Sequence, residues 1–143
     1  EVAVTGEAWL DREWSSQPLA GDQRGWDWFS LSFADGTRLM AFQLRGDGPA
    51  FASGTWIRAD GTTQALASDA LLIRPMADPD QPDTAPPVQW HLALPEQDLN
   101  VTVRALNPAA WMQTSFPYWE GPVVVDGSHT GQGYLEMTGY ARP

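Results

Sequence analysis

Two short segments hold the side chains best suited to moving a proton. In Leu10-Asp11-Arg12-Glu13-Trp14, Asp11 and Glu13 stand two apart, so on an extended strand they point to the same side. Paired carboxylates are split in pKa by repulsion and burial, which yields one acid and one base. The same pair serves equally as an exposed acidic face, or as partners for Arg12 or Arg24. In Pro117-Tyr118-Trp119-Glu120-Gly121, Glu120 lies between a tryptophan and a glycine and shares a strand face with Tyr118. A carboxyl inside a barrel beside aromatic rings has a raised pKa and can deliver a proton. The competing role for Glu120 is a hydrogen-bond anchor tying two strands. Gly121 leaves room for a close-approaching backbone or substrate. Trp14, Trp26, Trp28, Tyr118 and Trp119 are candidate walls for an apolar ligand, since aromatic rings combine large apolar area with one polar handle.

Other chemistries have less support. His91 and His129 are far apart and lack a third ligand, whereas zinc sites need three or four. The chain has no cysteine, so disulfides and thiolate metal sites are excluded. No metal and no cofactor is expected. Gly-x-Ser-x-Gly, P-loop, dinucleotide and His-Glu-x-x-His patterns are all missing. Ser15-Ser16 has no nearby base, so no nucleophile, base and orienting group come together in the sequence. With 8 Lys+Arg against 18 Asp+Glu, the net charge is −10. That charge repels phosphate backbones and anionic membrane surfaces, so nucleic acid is not an expected partner. No apolar run approaches the roughly 18 residues of a membrane-spanning helix, and a membrane-spanning chain is not expected.

These side chains must be positioned by strands. Asp-Gly occurs at Asp35-Gly36, Asp47-Gly48, Asp60-Gly61 and Asp126-Gly127, each between runs rich in aromatic and β-branched residues. Asp-Gly supplies the positive φ angles that two-residue hairpin turns require. The spacing predicts strands over 26–33, 37–44, 51–57 and 62–73. Further strands are expected over 4–14, 88–94, 99–106, 119–125 and 133–140. Pro95-Glu96 marks another hairpin turn. Residues 75–87, with five prolines and three aspartates, read as a surface loop. Residues 107–115 can hold one helical turn around Ala109-Ala110-Trp111. The fold class is therefore all-β, an antiparallel up-and-down barrel of about eight to ten strands.

Alternation assigns faces to these strands. Phe29, Leu31 and Phe33 share a face with Asp27, while Trp26 and Trp28 lie opposite. In the 4–14 strand, Trp9 and Trp14 fall on opposite faces. Bulky apolar groups thus stand on both sides of the early strands, which predicts an outer surface covered by loops or a second domain. A chain of 143 residues makes one domain, 1–143. It begins at Glu1 rather than Met, which leaves room for a leader or a preceding domain.

The segments Trp9–Ser16, Gly25-Trp26-Asp27-Trp28-Phe29, Leu39-Met40-Ala41-Phe42-Gln43-Leu44-Arg45, Tyr118-Trp119-Glu120-Gly121 and Gly133–Tyr140 resemble the AttH-like and CrtC-like proteins. That group includes the hydroxyneurosporene synthases, also called carotenoid 1,2-hydratases, and proteins labelled secreted hydrolases. The similarity runs in order along nearly the whole chain. It implies a lipocalin-like barrel, matching the C-terminal one of two tandem barrels, in an exported bacterial protein of the periplasm or medium. It further implies an apolar lipid, isoprenoid or polyene ligand and a second barrel of the same protein as partners. The hydratase branch adds water across a terminal alkene, which needs a proton donor, aromatic rings to steady a cation and a placed water. Glu120, Asp11 and Glu13 are the donor candidates under that resemblance. Three readings remain open: a carrier of an apolar ligand, a hydratase or hydrolase acting on one, and a structural domain docked on a second barrel.

Overall fold

The computed structural model describes residues 2–6, 8–11, 19–77 and 85–140. Among the described residues, ten strands form one antiparallel sheet: β1 (Gln23–Phe33), β2 (Arg38–Gly46), β3 (Phe51–Ile57), β4 (Thr63–Leu66), β5 (Leu72–Pro75), β6 (Gln89–Leu94), β7 (Leu99–Ala105), β8 (Trp111–Met112), β9 (Tyr118–Gly127) and β10 (Gly131–Met137). Their order is β4-β3-β2-β1-β10-β9-β7-β6-β5, with the two-residue β8 attached to β9. The first and last strands pair, as they do when an up-and-down meander closes on itself. The end strands are β4 and β5, so the seam lies between sequence neighbours. The sheet curls strongly enough that Phe29 on β1 meets Trp90 on β6 edge-to-face at 5.4 Å, across three intervening strands. This is an all-β fold of up-and-down type, as the strand pattern predicts, and it is lipocalin-like, as the resemblance implies.

The inner face is apolar. Phe29, Leu31, Leu39, Trp90, Leu92, Val101, Val103, Trp119, Val123 and Leu135 are all essentially inaccessible. Alternation along β1 carries Asp27, Phe29, Leu31 and Phe33 inward and leaves Trp26 and Trp28 outside and half-buried, the faces read from sequence.

The turns follow a different geometry from the expected two-residue type. Ala-Asp-Gly-Thr occurs twice, at 34–37 and 59–62. In the first, the Gly36 N–H donates to the Phe33 carbonyl at 3.0 Å and the Phe33 N–H to the Thr37 carbonyl at 2.9 Å; Arg58, Gly61 and Thr62 repeat the pattern. Only the glycines take positive φ, +86° and +85°. These are three-residue loops in which a type I turn ends on a left-handed glycine. Each aspartate accepts from the N–H and hydroxyl of the following threonine. Those bonds favour the anion and hold both carboxyls below their ordinary value.

Three expected elements differ. The predicted 62–73 strand divides into β4 and β5, because residues 67–70 form a turn closed by the Ala70 N–H on the Ala67 carbonyl at 3.1 Å. The helical turn around Ala109-Ala110-Trp111 is instead an Asx turn, with the Ala109 N–H donating to Asn107 Oδ1 at 3.0 Å, followed by β8. The strand expected over 4–14 is not formed among the described residues, which have no regular structure there. Both edges of β1 are already occupied by β2 and β10, so no ladder is left there for an N-terminal strand.

Gly133 marks where β10 crowds β1. A Cβ there would lie 2.2 Å from the Ser30 carbonyl oxygen and 2.8 Å from Leu31 Cδ2. Gly133→Val is expected to lower stability by about 1–3 kcal/mol through forced backbone shifts, read as a lower urea midpoint. An unchanged midpoint would show that β10 can shift at no cost.

Candidate functional site

The site lies on the outer face of β1, β10 and β9. The β1–β10 and β10–β9 ladders set Trp28 opposite Glu136 and Glu136 opposite Glu120. The next row outward is Ser30, Tyr134 and Pro122, then Ser32, Gln132 and Val124. These rows floor an open groove of about 610 Å³, and Ala8, Trp9 and Asp11 of the N-terminal segment form its other wall. Trp9 packs edge-to-face on Trp28, with ring centroids 6.1 Å apart. Ser30 is buried although it faces outward, which fits a segment crossing above it.

Hydrogen bonds fix the polar end of the groove. The Trp26 indole N–H donates to Glu136 Oε1 at 2.7 Å. The Trp26 ring also stacks with Phe116 at 6.2 Å. Tyr118 stands beside Glu120. Burial, and then the negative charge of Glu120, push its phenol above the ordinary tyrosine value, so Tyr118 remains a hydrogen-bond donor at neutral pH.

The candidates named from sequence divide accordingly. Glu120 and Asp11 line the groove, as does Trp28, while Tyr118 and Trp26 hold its acidic end. Glu120 is half-buried on the outer face, not inside the barrel, because alternation from the buried Trp119 turns it outward. Trp119 is corrected from ligand wall to core: it is fully inaccessible and its indole N–H donates to the Pro108 carbonyl at 2.9 Å. Glu13 and Trp14 lie outside the described residues, so the Asp11–Glu13 pair is not placed. With no strand at Asp11, the shared-face argument for that pair lapses.

Glu136 and Tyr134 were missed. A hairpin centred on Ser128 pairs residues equidistant from that turn, so the Asp126-Gly127 signal already sets Glu120 opposite Glu136. A second missed cluster closes one end of the barrel. Asp27 is fully buried; Arg45 Nε and Gln43 Nε2 each donate to its Oδ2 at 2.8 Å, and the Tyr140 hydroxyl to its Oδ1 at 3.0 Å. Arg45 also donates to the Thr138 carbonyl and sits 4.1 Å above the Tyr140 ring. Burial pushes the Asp27 carboxyl up, with Arg45 opposing, and pushes the Tyr140 phenol up strongly. The signal was a lone aspartate on an otherwise apolar strand face. Among the described residues, no group of three His, Cys, Asp or Glu side chains is arranged to hold a metal ion. His91 instead bonds Asn100 Oδ1 at 2.8 Å, and His129 lies against Phe33 and Trp56. No helix among the described residues is long and apolar enough to cross a membrane.

Fold and site together define a lipocalin-like antiparallel domain with an aromatic and acidic groove on its outer face. The AttH-like family model matches residues 1–140, and the chain belongs to the AttH-like family. A crystal structure described as an AttH from Nitrosomonas europaea is 32% identical, with a TM-score of 0.76 over 90% of this chain and 42% of that one. Kievitone hydratase from Nectria haematococca is 16% identical, with a TM-score of 0.69 over 91% of this chain and 43% of that one. At that identity the likeness is one of fold. The chain therefore spans less than half the length of either structure. No curated protein matches it in sequence.

Proposed function

We propose that this domain binds an elongated apolar ligand, of lipid, isoprenoid or polyene type, along its outer groove. The observation that supports this is the groove of about 610 Å³ walled by Trp9, Trp28, Leu106 and Val124. Its volume falls within the range of small-molecule sites, which combine apolar walls with a few placed polar groups. Tryptophan fluorescence tests it. Saturable quenching by a polyene or isoprenoid is expected, and a groove-filling Ser32→Phe should remove it. No response to any such probe, or full response in Ser32→Phe, would sink the reading.

A second reading is favoured by the carboxylates that face each other across the β9–β10 ladder. Under it, Glu120 protonates an alkene, aromatic rings steady the resulting cation, water adds, and the proton lost from that water returns to a carboxylate. Kievitone hydratase shares the fold, which makes hydration the natural reaction to assay, in the longer polypeptide if this chain is part of one. An amide keeps most hydrogen bonds but cannot act as an acid. Glu120→Gln should therefore retain ligand affinity and melting temperature while turnover falls by about 10²-fold or more. Unchanged turnover in a stable variant removes the acid role. A lower melting temperature with or without ligand would mark Glu120 as an anchor.

The third element of the proposal is a second barrel belonging to the same exported protein. Leu10, Leu106, Met112 and Phe116 are exposed around the groove, and an apolar rim of this kind suits a covering partner. Cell fractionation of the native host tests the periplasmic or secreted location, and a cytoplasmic signal would reject it.

A further inference from the structure

The groove has two chemically distinct ends. At one, two carboxylates face each other across the β9–β10 ladder, Glu120 and Glu136. At the other, the lining is Ser32, Gln132 and Val124. Apolar surface runs between them over Pro122 and Leu106, and Trp28 stands in the row of Glu136 and Glu120. An ionised carboxylate only accepts hydrogen bonds. A ligand group placed between two of them must therefore offer a proton rather than a lone pair. A second anion placed there would face like charge at close range in a partly desolvated site, which costs far more than in open water. The net charge of −10 adds a long-range field of the same sign.

We propose that the groove selects its ligand by head group, taking an apolar chain that ends in a hydrogen-bond donor, an alcohol or an amine, and rejecting chains that end in a carboxylate. The proposal rests on the groove being the ligand site, and adds to that reading a specificity that its size and walls do not supply. Glu120 is the specificity-determining residue most open to test. It is half-buried rather than structural core, and it stands directly opposite Glu136 at the β9 end of the row.

The test is a fluorescence titration with decanol, decylamine and decanoic acid, which share a chain and differ in the head. It is run at neutral pH in about 0.15 M salt so that the overall field is screened beyond about 8 Å. Decanol and decylamine are expected to bind at least tenfold more tightly than decanoic acid. In Glu120→Gln that ratio should shrink severalfold, chiefly because decanoic acid binds better. If Glu120→Gln is poorly folded, Glu136→Gln serves as the second variant. Decanoic acid binding as tightly as decanol overturns the selectivity while leaving the groove as ligand site intact. An equal preference in wild type and variant moves the selectivity elsewhere and likewise overturns the assignment. No binding of any of the three, together with no response to the polyenes and isoprenoids above, removes the groove as a ligand site and the selectivity with it.

Discussion

Asp27→Ala is expected to lower stability by about 3–5 kcal/mol, enough to unfold much of a typical domain at moderate temperature. Asp27 is fully buried and accepts three side-chain hydrogen bonds, from Arg45, Gln43 and Tyr140. Arg45 is itself mostly covered, with its side chain 23% exposed. Alanine leaves that guanidinium without its anion and leaves the Gln43 amide and Tyr140 hydroxyl facing an apolar cavity, and unpaired buried polar groups are costly. Asp27→Asn keeps an acceptor oxygen and should lose less. The two variants also separate charge from shape through pH. Because burial raises the Asp27 carboxyl in the folded protein, the folded state binds that proton more tightly than the unfolded chain does. The stability this contributes is fully present below the unfolded value near 3.8 and is lost as pH rises through the folded one. Wild type should therefore lose stability relative to Asp27→Asn as pH climbs from acid toward neutral. Guanidinium midpoints for the three proteins across that range read the effect. A midpoint for Asp27→Ala equal to wild type would mean that Arg45 finds another partner.

The same cluster shows where the sequence was legible and where it was not. Strand positions followed from local signals: Asp-Gly and Pro-Glu turns bounded runs of alternating aromatic and β-branched residues, and the predicted 51–57 strand coincides with β3. The inward face of β1 also followed, since Phe29, Leu31 and Phe33 mark it. Asp27 shares that face, yet its partners come from β2 and from beyond β10, and no local pattern says which distant strands close a ring. The resemblance blocks carried the information in another form, because the blocks holding Asp27, Gln43 with Arg45, and Thr138 with Tyr140 converge on one barrel end. The N-terminal strand failed for a related reason. Residues 4–11 alternate well enough for a strand, but a strand also needs a free neighbour, and both edges of β1 are taken. Glu120 was found as a residue and misplaced as an environment. One step of alternation decides inside from outside, and only the burial of Trp119 settles the phase of β9.

That phase gives the second large effect, a contrast between two tryptophans that the sequence alone could not tell apart. Trp119 and Trp28 both sit in aromatic-rich segments beside an acidic residue. Trp119 points inward and is completely inaccessible, with its N–H spent on the Pro108 carbonyl. Trp28 points outward, half-buried, with one face toward Trp9 and the groove. Trp119→Ala should cost about 3–5 kcal/mol, the range for emptying a large aromatic site in a packed core, and it also strands the Pro108 acceptor. Trp28→Ala should cost only about 0.5–1.5 kcal/mol, the worth of one lost ring pair. The ranking reverses for ligand. In Trp28→Ala the protein stays folded while its affinity for an apolar probe falls by tenfold or more, because the ring forms a groove wall. In Trp119→Phe, which keeps most of the core volume, affinity should stay within about threefold of wild type, a change worth only about 0.6 kcal/mol. Denaturation midpoints and decanol titrations on the three variants decide it. Full affinity in a folded Trp28→Ala protein would put the ligand somewhere other than the outer groove, and an affinity lost in a stable Trp119→Phe protein would put it inside the barrel.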